Sequence, residues 1–152
     1  MSMTLQGSKS LVPLGPVSLT AAGTAISATI DGRGHEELQI VVTKTTHATD
    51  YITTLAIQQS DTDSATAFAN VTGYVVGTDF TAASLSGGTN AAAEKAAGIF
   101  NIDLRGKKRY FRVTLTNGAA AGVVGITATL NRSEQAPITT AGANAGVLVN
   151  PS

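Results

Sequence analysis

Five basic side chains fall within positions 105 to 112 and form the densest chemical feature of the sequence. Lys and Arg donate charge-assisted hydrogen bonds to phosphate and carboxylate groups, so such a cluster can bind a phosphate or an acidic protein surface. The alternative is a solvated loop whose charges discourage aggregation at a sheet edge, and a single cluster favours this second interpretation. The cluster consists of Arg105, Lys107, Lys108, Arg109 and Arg112.

Few residues have the spacing of a metal site. Zinc requires three or four converging ligands, whereas His35 and His47 lie in separate polar segments. Asp61 and Asp63 resemble the start of a calcium-binding loop, but the glycine and glutamate of its sixth and twelfth positions are missing. We therefore expect solvated loop histidines, an acidic turn and no bound metal.

No motif of an enzyme active site is present. The sequence lacks a Gly-x-Ser-x-Gly nucleophile elbow. The glycines at 15, 23 and 32–34 do not lead from a strand into a helix, so they do not indicate a phosphate-binding loop. We expect a protein that is not an enzyme and binds no cofactor.

The charge balance limits the class of partner. Ten basic and ten acidic residues give the 152-residue chain a net charge of zero, whereas a dedicated binder of nucleic acid or of an anionic membrane carries net positive charge. Neither partner is therefore expected. Charged residues make up 13% of the chain, about half of the usual share. This fits a surface that packs against neighbouring subunits; a small polar β domain is the alternative.

Cysteine is absent, which excludes disulfides, thiolate catalysis and zinc–thiolate sites. No apolar run approaches the roughly 20 residues of a membrane span, and the first nine residues lack the apolar core of a signal peptide. We expect a protein that is made and kept in a cytosol, or that leaves the cell by lysis and not by secretion.

Residues 99–116 alternate apolar and polar side chains on both sides of the basic cluster. Alternation is typical of strands with one buried face, and Gly106 can adopt the positive φ of a two-residue hairpin turn. The pattern predicts a hairpin. Its expected facing pairs are Ile102 with Phe111 and Phe100 with Val113.

Five further segments read as strands separated by turn residues, among them the Asp-Gly-Arg-Gly turn at 31–34. Seven short strands predict an all-β protein, an antiparallel β-sandwich or jelly roll. The predicted strands are 25–31 with Ile26, Ala28 and Ile30 inward, 38–44 with Leu38, Ile40 and Val42 inward, 51–60 with Leu55 and Ile57 inward, 68–76, and 122–131 with Val124, Ile126, Ala128 and Leu130 inward.

Both ends of the chain are predicted to be extended arms. Pro13 and Pro16 disfavour a helix or a central strand, and the C-terminal segment is rich in Pro and Gly before a short apolar end. This predicts an N-terminal arm at 1–16, a sandwich domain at 17–132 and a C-terminal arm at 133–152. The last arm is expected to be disordered or to add to a neighbour's sheet.

The long connection at 77–98 is expected to be a contact loop. Within it, Asn90 could cap a two-turn helix over 91–97, because alanine is the strongest helix former.

Two segments together resemble small virion proteins of tailed bacteriophages, in particular head decoration or cement proteins of the β-sandwich type. One is Leu-Ala-Ile-Gln-Gln-Ser-Asp-Thr-Asp-Ser at 55–64, followed by Ala-Phe-Ala-Asn-Val at 67–71; the other is Leu-Arg-Gly-Lys-Lys-Arg-Tyr-Phe-Arg-Val at 104–113. The resemblance covers about residues 51–131. The chain departs from the pattern by lacking a Trp after the acidic turn and by carrying the 77–98 insertion.

The resemblance implies a capsid partner, symmetric copies and no catalysis. We therefore expect a decoration protein that binds the outer surface of the phage head, stabilises the shell and assembles with itself as a homotrimer, with the major capsid protein as its partner. The residues expected to contact the capsid or another subunit are Leu11, Val12, Leu14, Arg105, Lys107, Lys108, Val147, Leu148 and Val149.

Two alternatives remain open at this point. The same fold would serve a virion protein of the neck, tail or fibre. A carbohydrate-binding module is the other, although such modules usually expose Trp or Tyr, and this chain has no Trp and only Tyr51, Tyr74 and Tyr110.

Overall fold

A computed structural model describes residues 8–44, 52–80, 97–118 and 121–131, together with the backbone of 147–149. Within these ranges no residue is helical. The ten strands are β1 (Ser8–Leu19), β2 (Thr24–Ile26), β3 (Ile30–Asp31), β4 (Glu37–Lys44), β5 (Thr54–Ser60), β6 (Ala69–Val75), β7 (Ala97–Asp103), β8 (Tyr110–Thr116), β9 (Gly122–Asn131) and β10 (Val147–Val149).

The strands form two five-stranded sheets, which confirms the predicted all-β sandwich. Sheet A has the order β1-β9-β4-β7-β10, and sheet B has the order β2-β8-β5-β6 with β3 also paired to β8. All pairs are antiparallel except β10 with β7. The described residues contain ten strands in place of the expected seven or so, because 25–31 is split in two and both predicted arms contribute a strand.

The core lies between the sheets and follows the predicted alternation in most strands. Every second residue of β4, β8 and β9 is buried, while the residues between them are partly or fully exposed. The inward faces predicted for 38–44, 51–60 and 122–131 are confirmed. Their buried members are Leu38, Ile40, Val42, Leu55, Ile57, Val124, Ile126, Ala128 and Leu130.

The predicted hairpin at 99–116 is wrong. Strand β7 pairs with β4 in sheet A, whereas β8 pairs with β5 in sheet B. Ile102 and Phe111 are both buried, but they belong to opposite layers. Residues 104–109 cross from one sheet to the other, a distance of about 10 Å that a six-residue connection can span. Gly106 does adopt the expected positive φ, of 73°.

The predicted inward face of 25–31 is also only partly correct. Ile30 is buried, but Ile26 is 54% exposed and Ala28 is also exposed, whereas Ser27 between them is buried. The Ser27 side chain explains the break, because its hydroxyl accepts a hydrogen bond from the Val113 amide and its own amide donates to the Val113 carbonyl, each at 2.9 Å. This interruption separates β2 from β3.

The N-terminal segment differs from the expected arm. Residues 8–16 belong to β1, the outer strand of sheet A, and pair with β9. The register shifts at the positions flanking Pro13 and Pro16, because proline lacks the N–H that a regular ladder requires; an edge strand tolerates this. Residues 1–7 lie outside the described part of the chain.

The C-terminal segment is described only at Val147–Val149, where the backbone adds to sheet A as β10 rather than to a neighbour's sheet. The predicted helix at 91–97 lies outside the described residues except for Ala97, which is part of β7. Of the 77–98 connection, residues 81–96 also lie outside them.

Tyr74 provides a hydrogen bond between the two sheets. It is buried on β6, and its hydroxyl donates to the Asn101 carbonyl on β7. Burial raises the pKa of Tyr74, with a further contribution from the negative charge of Asp103. The phenol therefore remains protonated and able to donate at neutral pH.

We expect Tyr74→Phe to lower the free energy of unfolding by about 1 kcal/mol, the typical contribution of one hydrogen bond. Urea denaturation followed by circular dichroism measures this change. Tyr110→Phe is the matched control, because the Tyr110 ring is partly exposed and its hydroxyl has no hydrogen-bond partner among the described residues. Equal effects of the two substitutions would contradict the role of the bond.

Candidate functional site

Loops from both sheets enclose an open cleft at one end of the sandwich. The cleft has a volume of about 400 Å³. Its walls come from the turn after β3, from the residue that follows β5 and from the connection between β7 and β8. The lining residues are Gly32, Arg33, His35, Asp61, Leu104, Lys107, Lys108, Arg109 and Phe111.

The turn after β3 is held in place by its own side chains and by close backbone contact. Asp31 Oδ1 accepts a hydrogen bond from the Arg33 amide at 3.0 Å, and the His35 amide donates to the Gly32 carbonyl at 3.1 Å. The Gly32 amide donates to the Arg109 carbonyl at 2.9 Å. A Cβ at Gly32 would lie 3.2 Å from that carbonyl oxygen, so glycine permits the close approach of the two loops.

The Arg109 side chain joins the same two loops. Its Nε and Nη2 donate to the two carboxylate oxygens of Asp31 at 2.9 and 2.6 Å, and its guanidinium lies 4.6 Å from the centre of the Tyr110 ring. The Arg109 guanidinium lowers the pKa of Asp31 to about 2. Arg109 is thereby fixed as a wall of the cleft.

The other members of the sequence cluster lie in different environments. Arg105 binds Asp103 through its Nε and Nη2 atoms and lowers the pKa of that carboxyl to about 2; it does not line the cleft. Lys108 Nζ lies 3.1 Å from Asp61 Oδ2. Arg112 lies away from the cleft, where it donates to Gln58 at 2.8 Å and packs over the Phe68 ring at 4.2 Å.

Two cations of the cleft have no salt bridge within the described residues, namely Arg33 and Lys107. Lys107 belongs to the cluster seen in the sequence. Arg33 was missed because it lies more than 70 positions earlier in the chain. The Asp-Gly-Arg-Gly turn was the available signal, but nothing in the sequence places that turn against 104–109.

A second surface lies at the seam where the edges of the two sheets meet, which we define by Val12, Pro13, Ile26 and Ala28. The Ala28 amide donates to the Pro13 carbonyl at 2.8 Å and ties the chain after β2 to β1. In the described part of the chain, the large hydrophobic side chains that face solvent are those of Val12 and Ile26, which are 66% and 54% exposed.

The expected contact residues of the N-terminal segment therefore separate into two kinds. Leu11 and Leu14 are partly buried and pack against the core of their own sandwich, whereas Val12 faces solvent. The backbone of Val147–Val149 lies in β10, and the side chains of these three residues lie outside what the structure describes.

The carboxylates considered for calcium are engaged elsewhere. Asp61 pairs with Lys108, and Asp63 accepts a hydrogen bond from the Thr29 hydroxyl at 2.7 Å. His35 Nδ1 lies 3.2 Å from the Arg33 carbonyl oxygen, and His47 is outside the described residues. Within the described ranges no three His, Asp or Glu side chains converge on a possible metal position. Those ranges also contain no helix that could cross a bilayer.

Neither a protein-family model nor a curated protein matches the sequence. Among solved structures, the chain is similar to the crystal structure of PBSX exported protein XepA, with 16% sequence identity and a TM-score of 0.49. The match covers 91% of this chain but 42% of XepA, so the chain spans less than half of that protein. A match of this size assigns neither a function nor a partner to the chain.

The ion pairs of the loops predict a pH dependence of stability. The pKa values of Asp31 and Asp103 are about 2 in the folded chain and about 3.9 when unfolded. Because the unfolded state takes up protons first as the pH falls, the contribution of both pairs is present above about pH 4 and is lost towards pH 2. Both pairs are exposed to solvent, so screening by water keeps the contribution of each pair to stability small.

We expect Asp31→Asn to lower stability at pH 7 and to flatten the fall in stability between pH 4 and pH 2. Urea unfolding at pH 7, 4, 3 and 2 measures both effects. Asp63→Asn is the control, because Asp63 forms no salt bridge among the described residues. A pH profile for Asp31→Asn parallel to that of the unaltered chain would show that the pair with Arg109 contributes nothing.

Proposed function

We propose that this protein is a non-catalytic structural component of a tailed-phage virion, and specifically a decoration protein that binds the outer surface of the capsid as a homotrimer. The proposal rests first on the seam. Its two exposed hydrophobic side chains, Val12 and Ile26, lie within two residues of the Pro13–Ala28 hydrogen bond. The seam thus presents apolar area on a backbone that is fixed to both sheets.

The chemistry of the edge decides what kind of contact the seam can make. Pro13 and Pro16 lack amide hydrogens, so β1 cannot serve as a continuous template for a strand of another chain. A partner would instead pack on side chains. Such a contact keeps the subunit as a discrete folded unit, as a protein added to a finished shell requires.

The energetics favour several copies acting together. Burial of one Val or Ile side chain contributes roughly 1.5–3 kcal/mol, which is too little for a stable monomeric attachment. Subunits joined in one trimer bind neighbouring positions with a high effective concentration, and this raises the overall affinity without new contacts. The low share of charged residues, 13%, and the resemblance over residues 51–131 support the same proposal.

A role in the neck, tail or fibre would use the same fold and is distinguished by copy number. The carbohydrate-binding alternative finds no support in the described tyrosines. Tyr74 is buried, and the Tyr110 ring is covered by the Arg109 guanidinium. Burial therefore keeps Tyr74 from stacking on a sugar, and the guanidinium occupies one face of Tyr110.

The first tests concern the formation of a trimer and the attachment of the seam to the capsid. Light scattering of the purified chain is expected to give three times the 15.3 kDa mass of one chain.

Val12→Asp should reduce the occupancy of capsids in a reconstitution assay at least about tenfold, since it removes an apolar contact and places a charge in it. Val12→Ile, which keeps the site apolar, is the control and should bind like the unaltered chain.

A folded Val12→Asp variant with full occupancy would exclude the seam from the mechanism. Urea unfolding of the variant establishes that it is folded; we expect little change, because Val12 is exposed.

The second test is the number of copies in purified source particles, measured by quantitative mass spectrometry and by cryo-electron microscopy. The proposal requires hundreds of copies, placed on the outer face of the shell. About a dozen copies or fewer would assign the protein to the neck or the tail instead.

A further inference from the structure

We propose that the cleft between residues 32–35 and 104–109 binds an acidic peptide segment of a partner protein, with Arg33 and Lys107 as the residues that contact its carboxylates. The seam and the cleft involve different residues, so this site goes beyond the contact proposed above. The cleft is lined by four cationic side chains and one carboxylate, that of Asp61. Its volume of about 400 Å³ lies within the range of ligand pockets.

The cationic side chains differ in their availability. Arg109 is held by two hydrogen bonds to Asp31, so it shapes the wall and is not free to turn towards a ligand. Arg33 and Lys107 have no salt bridge among the described residues. They lie on opposing loops of the cleft, and a carboxylate between them would gain two cationic partners.

Lys108 supplies a third, exchangeable contact. Its pair with Asp61 has one contact at 3.1 Å, and both side chains are well exposed. An exposed pair of this kind contributes little stability, so the carboxylate of a ligand can compete with Asp61 for the ammonium group. Binding would therefore replace a weak internal pair without breaking the Arg109–Asp31 link that holds the loops together.

The interior of the cleft limits the size and polarity of the ligand. Leu104 offers a small apolar surface, whereas Phe111 is fully buried beneath it. A Cβ at Gly32 would lie 3.3 Å from Leu104 Cδ1, so glycine lets the turn pack closely against Leu104. A Glu side chain fits this arrangement, because its carboxylate can contact Arg33 and Lys107 while its short aliphatic part contacts Leu104.

Acidic peptide is favoured over nucleic acid by the charges and rings of the cleft. Asp31 and Asp61 lie among the cations and would repel a continuous phosphate backbone. Phe111, at the inner end of the cleft, is 0% exposed, so its ring cannot stack on a base. A peptide can place a few carboxylates opposite Arg33 and Lys107 and leave neutral atoms opposite the acids.

The test is a titration of the ¹⁵N-labelled full chain with the blocked peptide acetyl-Glu-Leu-Glu-Gly-Glu-amide, followed by amide chemical shifts. We expect saturable shifts at residues 32–35 and 104–109. The double variant Arg33→Gln/Lys107→Gln should weaken binding at least about fivefold through the loss of two charge contacts. Arg33→Lys/Lys107→Arg, which keeps both charges, should stay within about twofold of the unaltered chain.

Lys9→Gln is the control for the loss of a positive charge outside the cleft, because Lys9 is exposed on β1 and does not line the cleft; it should not change binding. Equal weakening by Lys9→Gln and by the double variant would overturn the site, as would the absence of saturable shifts at these loops. Tighter binding of inorganic phosphate or of a single-stranded oligonucleotide at the same residues would overturn the assignment to acidic peptide. The seam variant Val12→Asp should bind the peptide normally, so failure of the capsid contact and failure of this site are distinguishable.

Discussion

The crossing of the chain from sheet A to sheet B at residues 104–109 is the constraint on which the rest of the structure depends. Strands β7 and β8 must bury Phe100 and Phe111 in one core from opposite sides. The connection therefore passes over the end of the sandwich, and the basic residues that it carries are placed at that end. The Gly32–Arg109 backbone contact then brings the turn after β3 against the connection. The cleft therefore forms where the connection between β7 and β8 crosses the end of the sandwich and meets the turn after β3.

The alternation of residues predicted which side chains are buried, but it did not predict which strands pair. Strand β9 shows this most clearly, since all four of its predicted inward residues are buried. The same pattern in β7 and β8 suggested a hairpin, because adjacent strands with a short polar connection satisfy alternation equally well in one sheet or in two. Pairing is decided by long-range contacts, here with β4 and β5, which a single sequence does not show.

The failures of prediction have local physical causes. At 25–31, the buried hydroxyl of Ser27 accepts a hydrogen bond from the Val113 amide on the neighbouring strand, and Ile26 lies at the surface. The five basic residues at positions 105 to 112 occupy unlike environments, because Asp31, Asp61 and Asp103 each engage one of them. Arg33 is distant from this cluster in the sequence, and the folded chain places it in the same cleft. The sequence therefore indicated Lys107 as a candidate site residue. It did not indicate that the turn with Arg33 packs against the connection that carries Lys107.

The free edges of the two sheets explain why side chains, and not strand addition, are the means of contact in both proposals. Proline interrupts β1 at one edge of sheet A, which makes this edge a poor template for a foreign strand. On β6, the edge of sheet B, Asp79 Oδ2 accepts the amide hydrogens of Gly73 and Val75 at 3.0 and 2.9 Å. A carboxylate that occupies these donors keeps them from a foreign strand. With these edges occupied, side chains are the means of contact in both proposals, apolar ones at the seam and charged ones at the cleft.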